Sequence, residues 1–229
     1  MDNIDLDVLQ TAAQWHDAGE QTVLGTVVHT WGSAPRPIGS LVAIRNDGRI
    51  AGSVSGGCIE DDLNLRAEKR TLPKAATEIV TYGVTADEAQ RFGLPCGGTL
   101  QLVLEPLSER SQLQQWLAAI RKEGLVNRRL DLATGLATLI PGNPDGFHFD
   151  DRTLVSVHGT AYRLLIIGAG QMSKCLATMA IPLGYEVIVC DPRKTYTQAW
   201  QFAGTLITTE SRMTRCYKWM LTIERLLLL

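Results

Sequence analysis

The sequence predicts an α/β protein, a mixed α+β domain followed by a smaller parallel-sheet domain. Three observations carry that expectation. Short apolar, β-branched runs such as residues 41–44 and 50–54 are bounded by turn residues. Between such runs lie segments whose apolar residues recur at helical spacing. After residue 160 a strand, a glycine turn, a helix and a second strand follow in that order. The 229 residues are enough for two cores, and the division is expected between domains 1–160 and 161–229.

Residues 5–18 place Leu6, Leu9, Ala13 and Trp15 among polar neighbours, a first helix stopped by Gly19. Residues 22–29 read as a strand. The next eleven residues hold Gly32, Pro35, Pro37 and Gly39, which break both helix and strand. In that loop Ser33 and Ser40 offer hydroxyls, and Arg36, held extended between two prolines, offers a fork suited to phosphate or carboxylate. An ordinary surface loop with a solvated arginine fits the same residues. Residues 41–44 and 50–54 then flank Asn46-Asp47-Gly48, a hairpin turn because these types tolerate positive φ.

The second of those strands runs into Gly52-Ser53-Val54-Ser55-Gly56-Gly57-Cys58-Ile59-Glu60-Asp61-Asp62. Ile59, Leu63 and Ala67 recur every four residues, so Cys58 stands at the start of an amphipathic helix. Backbone N–H groups at such a place favour an anion, either a phosphate or the thiolate itself. Glu60, Asp61 and Asp62 work against both, because they already satisfy the positive end of the helix. A small core thiol packed under the glycine turn is the alternative.

Residues 78–82 form a strand, and Thr85-Ala86-Asp87-Glu88 has capping-box spacing for a short helix ending at Gly93. Leu94-Pro95-Cys96-Gly97-Gly98 repeats the pairing of cysteine with two glycines before a strand at 99–105, where Leu100, Leu102 and Leu104 alternate. Residues 108–122 carry Leu113, Trp116, Leu117 and Ile120 at helical spacing, with Ser108 as cap and Gly124 as stop. Strands are expected at 130–139 and 154–158, with a loop at 141–146 between them.

The last third begins with a strand at 163–167 and Gly168-Ala169-Gly170-Gln171-Met172-Ser173 before a helix through Leu176 and Met179. Gly168 permits the tight turn, and Gly170 lets backbone approach a pyrophosphate. Asp191, at the end of the next strand (185–190), stands where a carboxylate meets a ribose diol. This is a Rossmann-like start, with NAD(P) or another dinucleotide as its expected ligand. A third strand is expected at 204–209, and further strands of such a domain are missing, so it reads as incomplete. The apolar segment 213–229 is too short to span a membrane and is expected to pack as a helix on a sheet edge, self-associate or stay disordered.

Charge narrows the partner. With 22 basic against 24 acidic residues, nothing favours nucleic acid or an anionic membrane. An acidic N-terminus without an apolar run predicts a cytoplasmic protein. Five scattered cysteines (58, 96, 175, 190, 216) and four isolated histidines form no disulfide framework and no zinc-spaced cluster.

Gly32-Ser33-Ala34-Pro35-Arg36, the motif from Gly52 to Glu60, Gly93-Leu94-Pro95-Cys96-Gly97-Gly98 and Gly168-Ala169-Gly170 together resemble the XdhC/CoxI family over about residues 5–205. The resemblance implies a chaperone that binds molybdenum cofactor, as molybdopterin or its dinucleotide form. It also implies that the protein supports the cofactor's sulfuration and delivers it to the apo-enzyme of a molybdenum hydroxylase such as xanthine dehydrogenase or CO dehydrogenase. A cysteine desulfurase and a second copy in a homodimer are the further partners implied, and an XdhC-type domain is expected before the Rossmann-like one.

On that resemblance Cys58 or Cys96 would contact the molybdenum or dithiolene end, and a soft thiolate suits a sulfur-rich metal centre. Ser33, Ser55, Gly56, Gly57, Gly97 and Gly98 would line an N–H-rich phosphate cradle with Arg36. Gly168, Gly170 and Asp191 would take the nucleotide. No catalytic residue is assigned. Two rival readings remain, a nicotinamide-dependent oxidoreductase and a non-catalytic scaffold.

Overall fold

The computed structural model describes residues 3–32, 36–83, 99–143, 145–159, 162–198, 200, 205–208 and 226–228. It divides into two units, residues 3–159 and 160–229.

In the first unit α1 (Asn3–Asp17) leads into β1 (Thr22–Trp31), β2 (Leu41–Arg45), β3 (Ile50–Gly52), α2 (Cys58–Glu68), β4 (Glu78–Tyr82) and β5 (Thr99–Pro106). These strands form an antiparallel sheet in the order β3-β2-β1-β5-β4. The Asn46-Asp47-Gly48 turn joins β2 to β3 as its residue types predict: Asp47 accepts the Arg49 N–H at 3.2 Å and holds the Arg45 guanidinium. Ile59, Leu63 and Ala67 of α2 are buried against Val27, Val42, Leu100, Leu102 and Leu104 on one face. The other face packs Leu24, Leu41 and Ala43 against α1 and α3 (Leu113–Glu123). Each fully buried Leu or Ile contributes about 1.5–3 kcal/mol, so the two layers on this sheet supply most of the unit's stability.

Gly52, where β3 leaves the sheet, has φ +86, and a Cβ there would lie 2.5 Å from the Leu41 carbonyl oxygen. Only glycine lets the chain turn this close to β2.

A second antiparallel sheet follows in the order β7-β6-β9-β8, from β6 (Leu125–Asp131), β7 (Ala137–Pro141), β8 (His148–Phe149) and β9 (Thr153–Gly159). The single strand expected at 130–139 is instead a hairpin. Asp131 accepts the N–H groups of Ala133 and Thr134 at 3.1 and 2.8 Å and the Thr134 hydroxyl at 2.8 Å, which closes the turn. Ser108 caps only a 3-10 turn (Glu109–Ser111), and α3 starts after Gln112. Gly124 ends α3 as expected.

A buried polar cluster ties the sheets together. Arg128 of β6 makes two parallel bonds to Glu105 of β5, at 2.9 and 2.6 Å, and donates to the Ser111 carbonyl. The Trp116 ring lies 4.5 Å from the Arg128 guanidinium carbon, and His158 packs edge-on against Trp116.

Burial, and then the nearby Arg128 charge, push the His158 imidazole well below its ordinary 6.5. The unfolded chain therefore binds a proton that the fold refuses, and this costs stability as pH falls below 6.5. Urea unfolding at pH 7.5 and pH 5 is expected to show a loss of up to ~1.4 kcal/mol per pH unit in the wild type and a flatter profile in His158→Gln.

The second unit is a parallel sheet in the order β12-β11-β10-β13: β10 (Tyr162–Ile167), β11 (Tyr185–Cys190), β12 (Thr205–Thr208) and β13 (Leu226–Leu228). Helix α4 (Gln171–Ala180) buries Ala177 and Ala180 against Leu164, Ile166, Val187 and Val189, and α5 (Lys194–Gln198) follows β11. The described residues of the final apolar segment form a strand, not a helix: Leu226–Leu228 pairs with β10 along an edge that would otherwise leave backbone groups unpaired. No helix among the described residues is long and apolar enough to cross a membrane.

Candidate functional site

Sheet pairing brings several of the predicted segments to one end of the five-stranded sheet. Gly52 pairs with Val42, Trp31 with Thr99, and Tyr82 with Leu100. The glycine turn, the end of β1 and the strands flanking residues 84–98 therefore terminate together, and the Tyr82 hydroxyl donates to Asp62 of α2 at 2.9 Å. Cys96, Gly97, Gly98 and Ser33 lie outside the described residues, as does the helix expected from Thr85. Cys58 is the first residue of α2; its side chain also lies outside them.

The glycine turn is closed by Glu60. Its Oε1 accepts N–H groups from Val54 at 2.6 Å, Ser55 at 2.9 Å and Gly56 at 3.3 Å, and the Ser53 hydroxyl at 2.7 Å. Its Oε2 accepts the Gly57 N–H at 2.8 Å and the Ser55 hydroxyl. Partial burial works to raise the pKa of this carboxyl. The bonds from Ser55, Ser53 and the turn's N–H groups outweigh it and hold the group down at about 2. The anion that the N–H-rich turn attracts is thus the protein's own, and the Gly56-Gly57 phosphate cradle expected from the sequence is already filled. Among the described residues nothing lies within 4 Å of where a Cβ would stand on Gly56 or Gly57.

Arg36 sits 3.7 Å from Asp5 of α1, and Asp5 also accepts the Leu41 N–H at 3.1 Å. The arginine is thereby anchored at the start of β2. Sequence reasoning missed His29 and Trp31, whose rings stack with centroids 3.9 Å apart, leaving Trp31 46% exposed. A bulge between Val27 and His29 puts these rings on the face away from α2. Two aromatics at i and i+2 just before a proline-rich loop were the available signal.

In the second unit Gly168 has φ +107 and its N–H donates to the Cys190 carbonyl at 2.8 Å, so the turn closes onto β11. The Ser173 hydroxyl donates back to the Gly168 carbonyl at 2.6 Å. Among the described residues nothing lies within 4 Å of where a Cβ would stand on Gly168 or Gly170. Asp191 is buried and committed: it accepts the Ala169 N–H at 2.8 Å, the Arg193 N–H at 2.9 Å and two bonds from the Arg193 guanidinium. Arg193 first, then the backbone donors, hold its carboxyl well below the usual range. The structure thus gathers Gly168, Gly170 and Asp191, with the carboxylate turned to the glycine turn and Arg193. Among the described residues no group of three or more His, Cys, Asp or Glu could hold a metal ion.

Residues 15–83, which contain Arg36, the glycine turn and Glu60, match the model of the XdhC and CoxI family. The match covers under a third of the chain, and over those residues the chain is similar to that family. It is 28% identical over 199 residues to the molybdenum cofactor insertion chaperone PaoD of Escherichia coli (strain K12), covering 80% of this chain and 57% of that protein. It is 25% identical over 217 residues to a probable xanthine dehydrogenase component of Bacillus subtilis (strain 168), covering 82% and 66%. It therefore spans less than two thirds of either relative. The crystal structure of a xanthine dehydrogenase from Bacillus halodurans shares the fold, with TM-score 0.72 at 22% identity, covering 98% of this chain and 74% of that one.

Proposed function

We propose that this protein is a member of the XdhC/CoxI family, that it binds molybdenum cofactor and that it supports the cofactor's insertion into a molybdenum hydroxylase. The observation that carries the reading is the relation to PaoD across 80% of the chain, together with a family segment that contains the glycine turn. In this reading residues 1–160 form the XdhC-type domain and 161–229 the Rossmann-like one, in a cytoplasmic homodimer.

Within the reading, the geometry supports the following roles. Glu60 keeps the Ser53–Gly57 turn in shape, so the turn presents the start of α2 and with it Cys58. Cys58 or Cys96 meets the sulfur-rich end of the cargo, because thiolates suit soft metals. Since the Gly56 and Gly57 N–H groups are committed to Glu60, the phosphate falls to Arg36. The exposed Trp31 ring stacks on the pterin. Gly168 and Gly170, with no described residue close to their Cβ positions, take the nucleotide of a dinucleotide form, and Arg193 must swing from Asp191 before a ribose reaches that carboxylate. Sulfuration through a cysteine desulfurase and a xanthine dehydrogenase-type recipient complete the proposal.

The test is protein purified from a host that makes the cofactor, assayed for pterin by fluorescence after oxidation and for molybdenum by mass spectrometry. Both are expected with the wild type. Cys58→Ala or Cys96→Ala, and Trp31→Ala, are expected to lower retention about tenfold, the stacking share following from ~1–3 kcal/mol per ring. Protein without pterin, or full retention in both cysteine variants, would overturn the reading. Bound nicotinamide instead would favour the oxidoreductase.

A further inference from the structure

In the second unit several groups converge on one carboxylate. Asp191 is fully buried and both of its oxygens are in use. Oδ1 accepts the backbone N–H and the Nε–H of Arg193, each at 2.9 Å, and Oδ2 accepts the Ala169 N–H at 2.8 Å and an Nη2–H of Arg193 at 2.7 Å. An ionised carboxylate offers about four acceptor positions, so none is left for a ribose hydroxyl. Asp191 therefore acts as a brace, tying the glycine turn, through Ala169, to the segment that follows β11.

Arg193 is the group this brace presents. Its guanidinium carbon lies 4.0 Å from the centre of the Tyr196 ring on α5, and the ion pair fixes one of its edges, so the fork is held on two sides. It is nevertheless 57% exposed. The Nε–H and one Nη2–H go to Asp191, and the Nη1 hydrogens make no bond among the described residues. Moving Arg193 aside would strip a buried carboxylate of its counter-charge, which is strongly unfavourable, so a free ribose diol competes poorly for Asp191. A phosphate on that ribose meets no such obstacle. It reaches the spare edge of the fork without disturbing the pair, and the Asp191 charge is already offset by Arg193 and by two backbone N–H groups.

We infer that the second unit selects a nucleotide carrying a phosphate on its ribose, with Arg193 recognising that phosphate and Asp191 positioning Arg193. The inference rests on the proposed reading that Gly168 and Gly170 take a nucleotide, because the end of the second strand then lies beside the ribose. A planar guanidinium suits phosphate oxygens. With Asp191 on its edge and Tyr196 on its face, the fork loses little freedom when a ligand arrives.

The experiment titrates the full chain with 5′-AMP, 5′-ADP and 2′,5′-ADP by calorimetry at low salt. The last two differ only in where the second phosphate sits. The wild type is expected to bind 2′,5′-ADP at least about tenfold more tightly than either of the others, a ~1.4 kcal/mol difference. Arg193→Ala is expected to bring 2′,5′-ADP to the level of 5′-ADP. Arg193→Lys leaves Asp191 a counter-charge but commits its one ammonium to it, and is expected to lose most of the preference as well. A residue that only supported the fold would weaken all three ligands alike and leave their ratio unchanged. If 2′,5′-ADP bound no more tightly than 5′-ADP or 5′-AMP, or if both variants kept the wild-type ratio, the inference would fall while the nucleotide reading stood. Binding of none of the three would remove both, and the pterin measurement would still decide the reading of the first unit.

Discussion

Alanine in place of Glu105 is expected to remove about 3–5 kcal/mol from the first unit. Glu105 and Arg128 are each at most 3% exposed and share two bonds. Removing one partner leaves the other charge in a site that water cannot reach. Whole domains are stable by only ~5–15 kcal/mol, so this variant approaches unfolding at neutral pH. The control is a double replacement, Glu105→Leu with Arg128→Met, which removes both charges and keeps most of the volume. It is expected to recover most of the loss, since a buried pair and an apolar pair of similar size are close in energy. Urea unfolding followed by tryptophan fluorescence reads both. An alanine variant as stable as wild type would mean that the pair is not sealed from solvent.

The second large effect belongs to Glu60. A carboxyl held at about 2 instead of 4.5 corresponds to ~3.4 kcal/mol at most, and partial solvent screening lowers that to roughly 2 kcal/mol. Because the folded pKa is the lower one, this stabilisation is complete above pH 4.5 and is lost as pH falls toward 2. Glu60→Ala is expected to lose it at every pH and to flatten that limb of the stability profile. Hydrogen exchange at the amides of Val54, Ser55, Gly56 and Gly57 should accelerate in the variant while that of β1 does not. If those four amides kept their protection, Glu60 would not be what closes the turn.

These two carboxylates mark where reading by pattern stops. Glu60 was legible as an acid in the first turn of α2, because charge near a helix start is a local matter. That it folds back onto a turn beginning seven residues earlier depends on Gly56 and Gly57 bending the chain around it. Glu105 and Arg128 were not legible at all: they lie 23 residues apart on strands of different sheets, and periodicity carries no information about such a pairing. Trp31 is a third case. Val23 and Val27 face the α2 core, and strict alternation would send Trp31 there too. One extra residue at the Val27–His29 bulge turns it to the opposite face.

By itself the sequence determined the elements whose causes are local. The period of Ile59, Leu63 and Ala67 made a helix, Asn46-Asp47-Gly48 made a hairpin, and Gly168-Ala169-Gly170 made the turn from strand to helix. It also carried, in order, the motifs by which the chain resembles the XdhC/CoxI family. The tertiary structure alone decided which groups meet: the carboxylate that fills the glycine turn, the ion pair between sheets and the ring left exposed by a bulge. Local preferences act over a few residues along the chain, whereas these contacts exist only once strands distant in sequence have paired.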